Sequence, residues 1–168
     1  MLVKVLVTAI ITLAGAILQA TLFNYLGVGG ARPSLMLIIS VFFGLQDGPL
    51  AGAVVGFACG LVEDSLSSGP MGVNALARTL LGFIVGSIRG RIFRDTLWYR
   101  ISVLFLASLL GETMPFAILY VLDRADSFLS NFRNIVLLSA LYNTLLGSFL
   151  FFLFDRLLRK YWLTQKRI

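Results

Sequence analysis

Gly44-Leu45-Gln46-Asp47-Gly48-Pro49-Leu50-Ala51-Gly52-Ala53-Val54-Val55-Gly56-Phe57-Ala58-Cys59-Gly60-Leu61-Val62-Glu63-Asp64-Ser65-Leu66-Ser67-Ser68-Gly69-Pro70-Met71-Gly72 is the stretch from which the fold is read. Gly44, Gly48, Gly52, Gly56 and Gly60 recur every four residues, and Gly82, Gly86 and Gly90 resume the pattern further on. Four-residue spacing places glycines on one helical face and leaves a groove that another backbone can enter. Each glycine in a water-exposed helix costs about 1 kcal/mol relative to alanine, so a ladder of them requires packing as its reason. A flexible glycine-rich loop does not fit, because Leu50, Val54, Val55, Phe57, Leu61 and Val62 fill the gaps. Between the two ladders, Glu63 to Gly72 reads as one polar turn with two carboxylates, three hydroxyls and Ser68-Gly69-Pro70.

Working outward, apolar residues make up 58% of the 168 positions and charged residues only 13%. Charges are nearly absent over spans of about 20 residues, the length that crosses a bilayer. The chain therefore reads as an all-α membrane protein, a single polytopic domain over residues 1–168. The first span runs from about Val5 to Phe23; with only Lys4 as basic flank and a poor Leu18-Gln19-Ala20 cleavage site, it reads as an uncleaved helix rather than a signal peptide. Arg32-Pro33 opens a second segment, Ser34 to Gln46, and Asp47-Gly48-Pro49 turns the chain into a third. These two are short for a full crossing. The remaining spans run from about Met71 to Ile88, Leu97 to Val121 and Asn134 to Phe154.

Basic residues set the orientation. Lys4, Arg89, Arg91, Arg94, Arg100, Arg156, Arg159, Lys160, Lys166 and Arg167 share one side of a six-span chain, against Arg32, Arg124 and Arg133 on the other. Positive residues stay in the cytoplasm, so both termini are expected inside and the polar turn outside. The net charge of +6 does not point to nucleic acid. The basic residues sit at span ends among Phe93, Trp98, Tyr99, Tyr161 and Trp162, the pattern of interfacial anchoring in a lipid bilayer. With no histidine and a single cysteine, Cys59, the sequence lacks the parts for most zinc, haem, iron–sulfur and Ser-His-Asp chemistry, and no cofactor or metal is expected.

Ionisable groups inside spans are expensive and face the protein interior. Arg78 lies about two turns into the fourth span, and Glu112 lies at comparable depth in the fifth, one turn before Pro115, where a kink would open the region. Asn143 reaches a similar level and Gln19 sits slightly higher. Arg78 leans towards its own helix N-terminus, which leaves Asp64 and Glu112 as its candidate partners. Together Asp64, Arg78, Glu112, Asn74, Asn143 and Gln19 outline an outward polar pocket or a buried ion pair; Gly48, Gly52, Gly56, Gly60, Gly82 and Gly86 are the candidate packing glycines.

The short second and third segments, the run Gln46-Asp47-Gly48-Pro49-Leu50-Ala51-Gly52, and Asp64-Ser65-Leu66-Ser67-Ser68-Gly69-Pro70-Met71-Gly72-Val73-Asn74-Ala75-Leu76 together resemble the MreD family of bacterial rod-shape-determining inner-membrane proteins. Asp64, Gly69, Pro70 and Gly72 stand where that family's aspartate and Gly/Pro turn would fall; Glu63, an additional acid, takes no role from the resemblance. The resemblance implies a non-enzymatic scaffold that works with MreC, MreB, RodZ and RodA with its transpeptidase in sidewall peptidoglycan synthesis. It also implies a bundle like the S components of energy-coupling-factor vitamin transporters. Two other readings stay open. One is a vitamin-type S component, for which the Ala16/Ala20 step would serve motor docking. The other is a membrane enzyme using Asp64 and Glu112 as acid and base. With no extramembrane domain expected, lipid-facing helix surfaces and the loop Asp123–Arg133 are the places for partners.

Overall fold

A computed structural model of the chain describes residues 2–21, 31–67, 69–89, 97–121 and 132–165. The described residues form six helices: α1 (Leu2–Thr21), α2 (Leu35–Asp47), α3 (Pro49–Leu66), α4 (Val73–Ser87), α5 (Leu97–Val121) and α6 (Phe132–Gln165). Among the described residues, three stretches are long and apolar enough to cross a membrane, Pro49–Leu66, Trp98–Ile118 and Ile135–Phe154.

The bundle is built around α2, which touches each of the other five helices. Every residue from Leu35 to Gly44 is buried, as expected of a helix that is apolar on all sides. Met36, Leu37, Ile38, Ile39 and Val41 form the core with Leu81, Leu104 and Cys59. At one end Phe42 meets Phe43, Phe151 and Phe154 with ring centroids 5.1–5.5 Å apart in edge-on or tilted contacts, the arrangement that aromatic quadrupoles favour. Gly48 ends α2 with a φ of +99°, a region open to glycine, and Pro49 starts α3 where its missing N–H is not needed.

The most extensive interface joins α3 to α4. A Cβ on Gly52 would collide with the Gly82 carbonyl, on Gly56 with the Arg78 carbonyl, and on Gly60 with the Asn74–Ala75 backbone. From the other side, Gly82 faces Gly52, and a Cβ on Gly86 would fall 2.5 Å from Pro49 Cα. These glycines let two backbones touch, the close approach that their four-residue spacing implies. Gly48 is placed differently from the ladder expected of it: it is the hinge between α2 and α3, so Gly44 and the glycines from Gly52 onward lie on separate helices.

The expected bounds of the third segment and of the polar turn need correction. Helix α3 has 18 residues and is not short, because it continues through Glu63, Asp64 and Ser65 to Leu66; the polar turn begins only at Ser67. Nothing in Val62-Glu63-Asp64-Ser65 breaks a helix, and the Ser65 hydroxyl donates to the Leu61 carbonyl one turn back. The sixth apolar span, Ile135–Phe154, falls where the sequence places it, and helix α6 continues 11 residues beyond Phe154, because Arg156-Leu157-Leu158-Arg159-Lys160 are good helix formers with no glycine or proline among them. Pro115 sits within the single helix α5. Ser68, Gly90, Arg91, Arg94 and the loop positions 123–131 lie outside the described residues.

Candidate functional site: a polar knot joining six helices

The two glycine ladders end in opposite charges. Glu63 follows Gly56 by seven residues and shares its helical face, while Arg78 precedes Gly82 by four on the facing helix. Arg78 Nε donates to Glu63 Oε2 at 2.8 Å and Nη2 donates to Oε1 at 3.3 Å, a two-pronged ion pair. Only 4% of the Arg78 side chain and 10% of the Glu63 side chain remain exposed. Side chains lean towards their own helix N-terminus, so in antiparallel helices these two lean towards each other.

The other groups close around this pair. The Ser34 hydroxyl donates to Glu63 Oε1 at 2.7 Å, and Gln19 Nε2 donates to the same oxygen at 3.1 Å. Both residues also cap α2, whose first N–H groups have no partner within the helix. Ser34 Oγ accepts from Leu37 N–H at 3.1 Å and Gln19 Oε1 from Met36 N–H at 3.2 Å. Asn143, fully buried on α6, accepts the Ser34 N–H at 2.7 Å and donates through Nδ2 to Glu112 at 3.4 Å. Glu112 stands 3.7 Å from Arg78 Nη2 and keeps 20% of its side chain exposed.

The fifth helix contributes a backbone oxygen. Pro115 has no N–H, so the Gly111 carbonyl four residues earlier lacks its intrahelical donor. Arg78 Nη1 supplies one at 2.8 Å. A side chain at 111 would obstruct this, since its Cβ would lie 2.9 Å from Nη1 and 2.6 Å from Leu37 Cδ1. The proline therefore frees an acceptor that the Arg78 guanidinium takes.

Asp64 has a different task from the one expected. Buried at 4% exposure, it accepts from Gly72 N–H (2.8 Å), Asn74 N–H (3.0 Å), Asn74 Nδ2 (3.0 Å) and Ala75 N–H (3.1 Å). It thus caps the N-terminus of α4 from the end of α3, and a carboxylate there also meets the positive end of the helix dipole. With its oxygens turned to that backbone, Asp64 is not the partner of Arg78; Glu63, one residue earlier and rotated by about 100° on the helix, is. Gly72 has φ +100° with nothing within 4 Å of a Cβ placed there, so its glycine serves the turn conformation and not packing.

Of the six expected polar residues, Gln19, Arg78, Glu112 and Asn143 meet in one cluster, and Asp64 and Asn74 form the separate cap. Glu63, Ser34 and the Gly111 carbonyl were not expected. Ser34 carried the signal of a serine directly before an apolar helical run, and Glu63 that of the shared glycine face. Among the described residues no three His, Cys, Asp or Glu side chains gather in a way that could hold a metal ion.

A family model describing the rod shape-determining protein MreD matches residues 1–161. The chain belongs to the MreD family. Membership implies a role in rod shape determination and links this MreD-family chain to the shape-determination machinery, within a family of structural proteins. No curated protein and no solved structure matches the chain. The family and the three long apolar helices together mark it as a membrane protein.

Proposed function

We propose that this MreD-family chain is a non-enzymatic scaffold of the cell-elongation complex, a multi-pass protein of the bacterial inner membrane with both termini inside. It binds MreC and, with MreB, RodZ and RodA with its transpeptidase, helps direct sidewall peptidoglycan synthesis. The observation that carries this reading beyond the family is the polar knot itself. Every helix supplies a group to it or is capped by one, and the Arg78 guanidinium is occupied by Glu63, Gly111 and Ser34 of the same chain. Such a cluster fixes the relative positions of six helices, which is what a scaffold presenting helix surfaces to partners requires. An S component instead needs its polar side chains directed at a small molecule.

Co-purification tests the reading. Tagged protein solubilised in mild detergent from a rod-shaped host should retain MreC, and cells depleted of the protein should round up. Normal rods after depletion, or recovery of the protein without MreC under conditions that keep the bundle folded, would contradict it.

A further inference from the structure

Among the described residues, three buried side-chain atoms have no hydrogen-bond partner: Arg89 Nε, Tyr99 Oη and Ser108 Oγ. A buried polar group left unpaired costs free energy, so each requires a reason. Ser108 is fully buried among the helices. The other two belong to half-buried side chains at one end of the bundle, outside the polar knot.

The knot fixes where they sit. Arg78 Nη1 meets the Gly111 carbonyl, which sets these two residues at one level on the neighbouring helices α4 and α5. From there Arg89 lies eleven residues onward, just past the C-cap of α4, and Tyr99 lies twelve residues back along α5. Both therefore drop about 16–18 Å towards the same end at 1.5 Å per residue. At 100° per residue Arg89 falls within about 20° of the Arg78 face. Tyr99 falls about 140° around α5 from Glu112, which meets α6 through Asn143, and so on the α4 flank. Tyr99 and Ile88, directly before Arg89, pack against the same apolar core. The guanidinium reaches the α2–α3 hinge, where a Cβ on Gly48 would lie 3.3 Å from Nη1. Among the described residues Arg89 forms no ion pair, although Asp47 ends α2 beside this hinge.

A guanidinium and a phenol offer donors and one positive charge, and the acceptor they call for is an anionic oxygen. Both residues stand where the apolar helices α4 and α5 end, beside the exposed Trp98, which is the level of lipid headgroups. Exposed Phe83 and Ile84, one to two turns back along α4, give acyl chains an apolar path from that level. We propose that Arg89 and Tyr99 form a site for the phosphate oxygens of an anionic phospholipid, held at the α4–α5 end of the bundle. Basic pockets between membrane helices take such headgroups. Free phosphate carries the same oxygens without acyl chains, and the two sources separate in the experiment. The site presupposes the membrane-spanning reading of the chain and is independent of MreC binding.

The full chain, delipidated in mild detergent, is titrated with dioleoylphosphatidylglycerol or dioleoylphosphatidylcholine. Bound lipid is counted by native mass spectrometry, and Tm is followed in parallel. Phosphatidylglycerol should bind about fivefold more tightly than phosphatidylcholine, the order expected of one basic residue at a headgroup. Arg89→Gln should abolish that preference and Tyr99→Phe should reduce it, whereas Arg156→Gln, which removes an exposed charge of α6, should leave it intact. Tyr99→Phe removes an oxygen that no protein group bonds, so its Tm in lipid-free detergent should equal or exceed the parent's while the rise on adding phosphatidylglycerol shrinks. Equal binding of the two lipids would overturn the site, as would a preference that survives Arg89→Gln and Tyr99→Phe or falls as far with Arg156→Gln. A lowered Tm of Tyr99→Phe without lipid would reveal a protein partner for the hydroxyl and overturn it too. Millimolar inorganic phosphate that raises Tm as much as phosphatidylglycerol would assign the site to free phosphate and overturn the lipid. A chain that stays monodisperse without detergent would refute the membrane reading itself, and the site with it.

Discussion

Replacing Arg78 by methionine removes the centre of the polar knot while keeping an unbranched apolar stem. Four hydrogen bonds disappear, two to Glu63, one to the Gly111 carbonyl and one to the Ser34 hydroxyl, together with the charge facing Glu112 at 3.7 Å. Hydrogen bonds between membrane helices average about 0.6 kcal/mol, which sets a floor of roughly 2 kcal/mol. The loss exceeds that floor because the change is one-sided. Glu63 keeps Ser34 and Gln19 as donors but loses its counter-charge, and Pro115 leaves Gly111 without another intrahelical donor. Breaking a buried ion pair by removing one partner costs about 3–5 kcal/mol, and Arg78→Met is expected in that range. The assay is reversible unfolding in mixed micelles by titration with sodium dodecyl sulfate, followed by tryptophan fluorescence. Adding Glu63→Gln should recover about half of the loss, because an amide can still accept from Ser34 and carries no orphan charge. Adding Asp64→Asn should recover nothing and lose more, since Asp64 serves α4. A coupling energy larger for 64–78 than for 63–78, or an Arg78→Met variant within about 0.5 kcal/mol of the parent, would refute the reasoning.

The glycine interface gives a second expectation: Gly56→Leu with Gly60→Leu should abolish a monodisperse peak in size-exclusion chromatography, each overpacked site costing about 1–3 kcal/mol or more, while Leu61→Val stays mild. Asp64→Ala should cost about 1–2 kcal/mol as a lost cap and speed amide exchange in the first turn of α4, from Asn74 to Leu76, without affecting α6. Pro115→Ala restores an N–H within reach of the Gly111 carbonyl and should be nearly neutral in Tm, whereas Gly111→Ala pushes into Leu37 and Arg78 and should lower Tm clearly. For the proposed orientation, a cysteine replacing Ser67 should react with an impermeant maleimide in intact cells, in a background with Cys59→Ala.

Much of the architecture was readable from residue pattern because membrane spans are written in long apolar runs and punctuated by Gly-Pro and charge. The α3–α4 contact was equally readable, since glycines at every fourth position have few other uses. The end of α3 was misplaced for a physical reason. Glu63-Asp64-Ser65 resembles a turn by composition, but all three side chains find partners while the helix continues: Arg78, the α4 backbone and the Leu61 carbonyl. That single misplacement hid Glu63. Counted from Gly56 along a helix, it falls on the glycine face, opposite the residue that continues the other ladder. The role of the Gly111 carbonyl was less accessible, because a proline frees an acceptor without indicating which donor from another helix will take it.

The most direct test of the central claim, that the polar knot holds the bundle together and does not bind a ligand, is cell shape under the compensated pair. A host depleted of its own protein would be complemented with Arg78→Met and Glu63→Gln together, expressed at parental level with stability verified in membranes. The account predicts rods of parental width, because the helix arrangement survives without the charges. Round cells containing normal amounts of the stable double variant would contradict it and place function in the charges themselves.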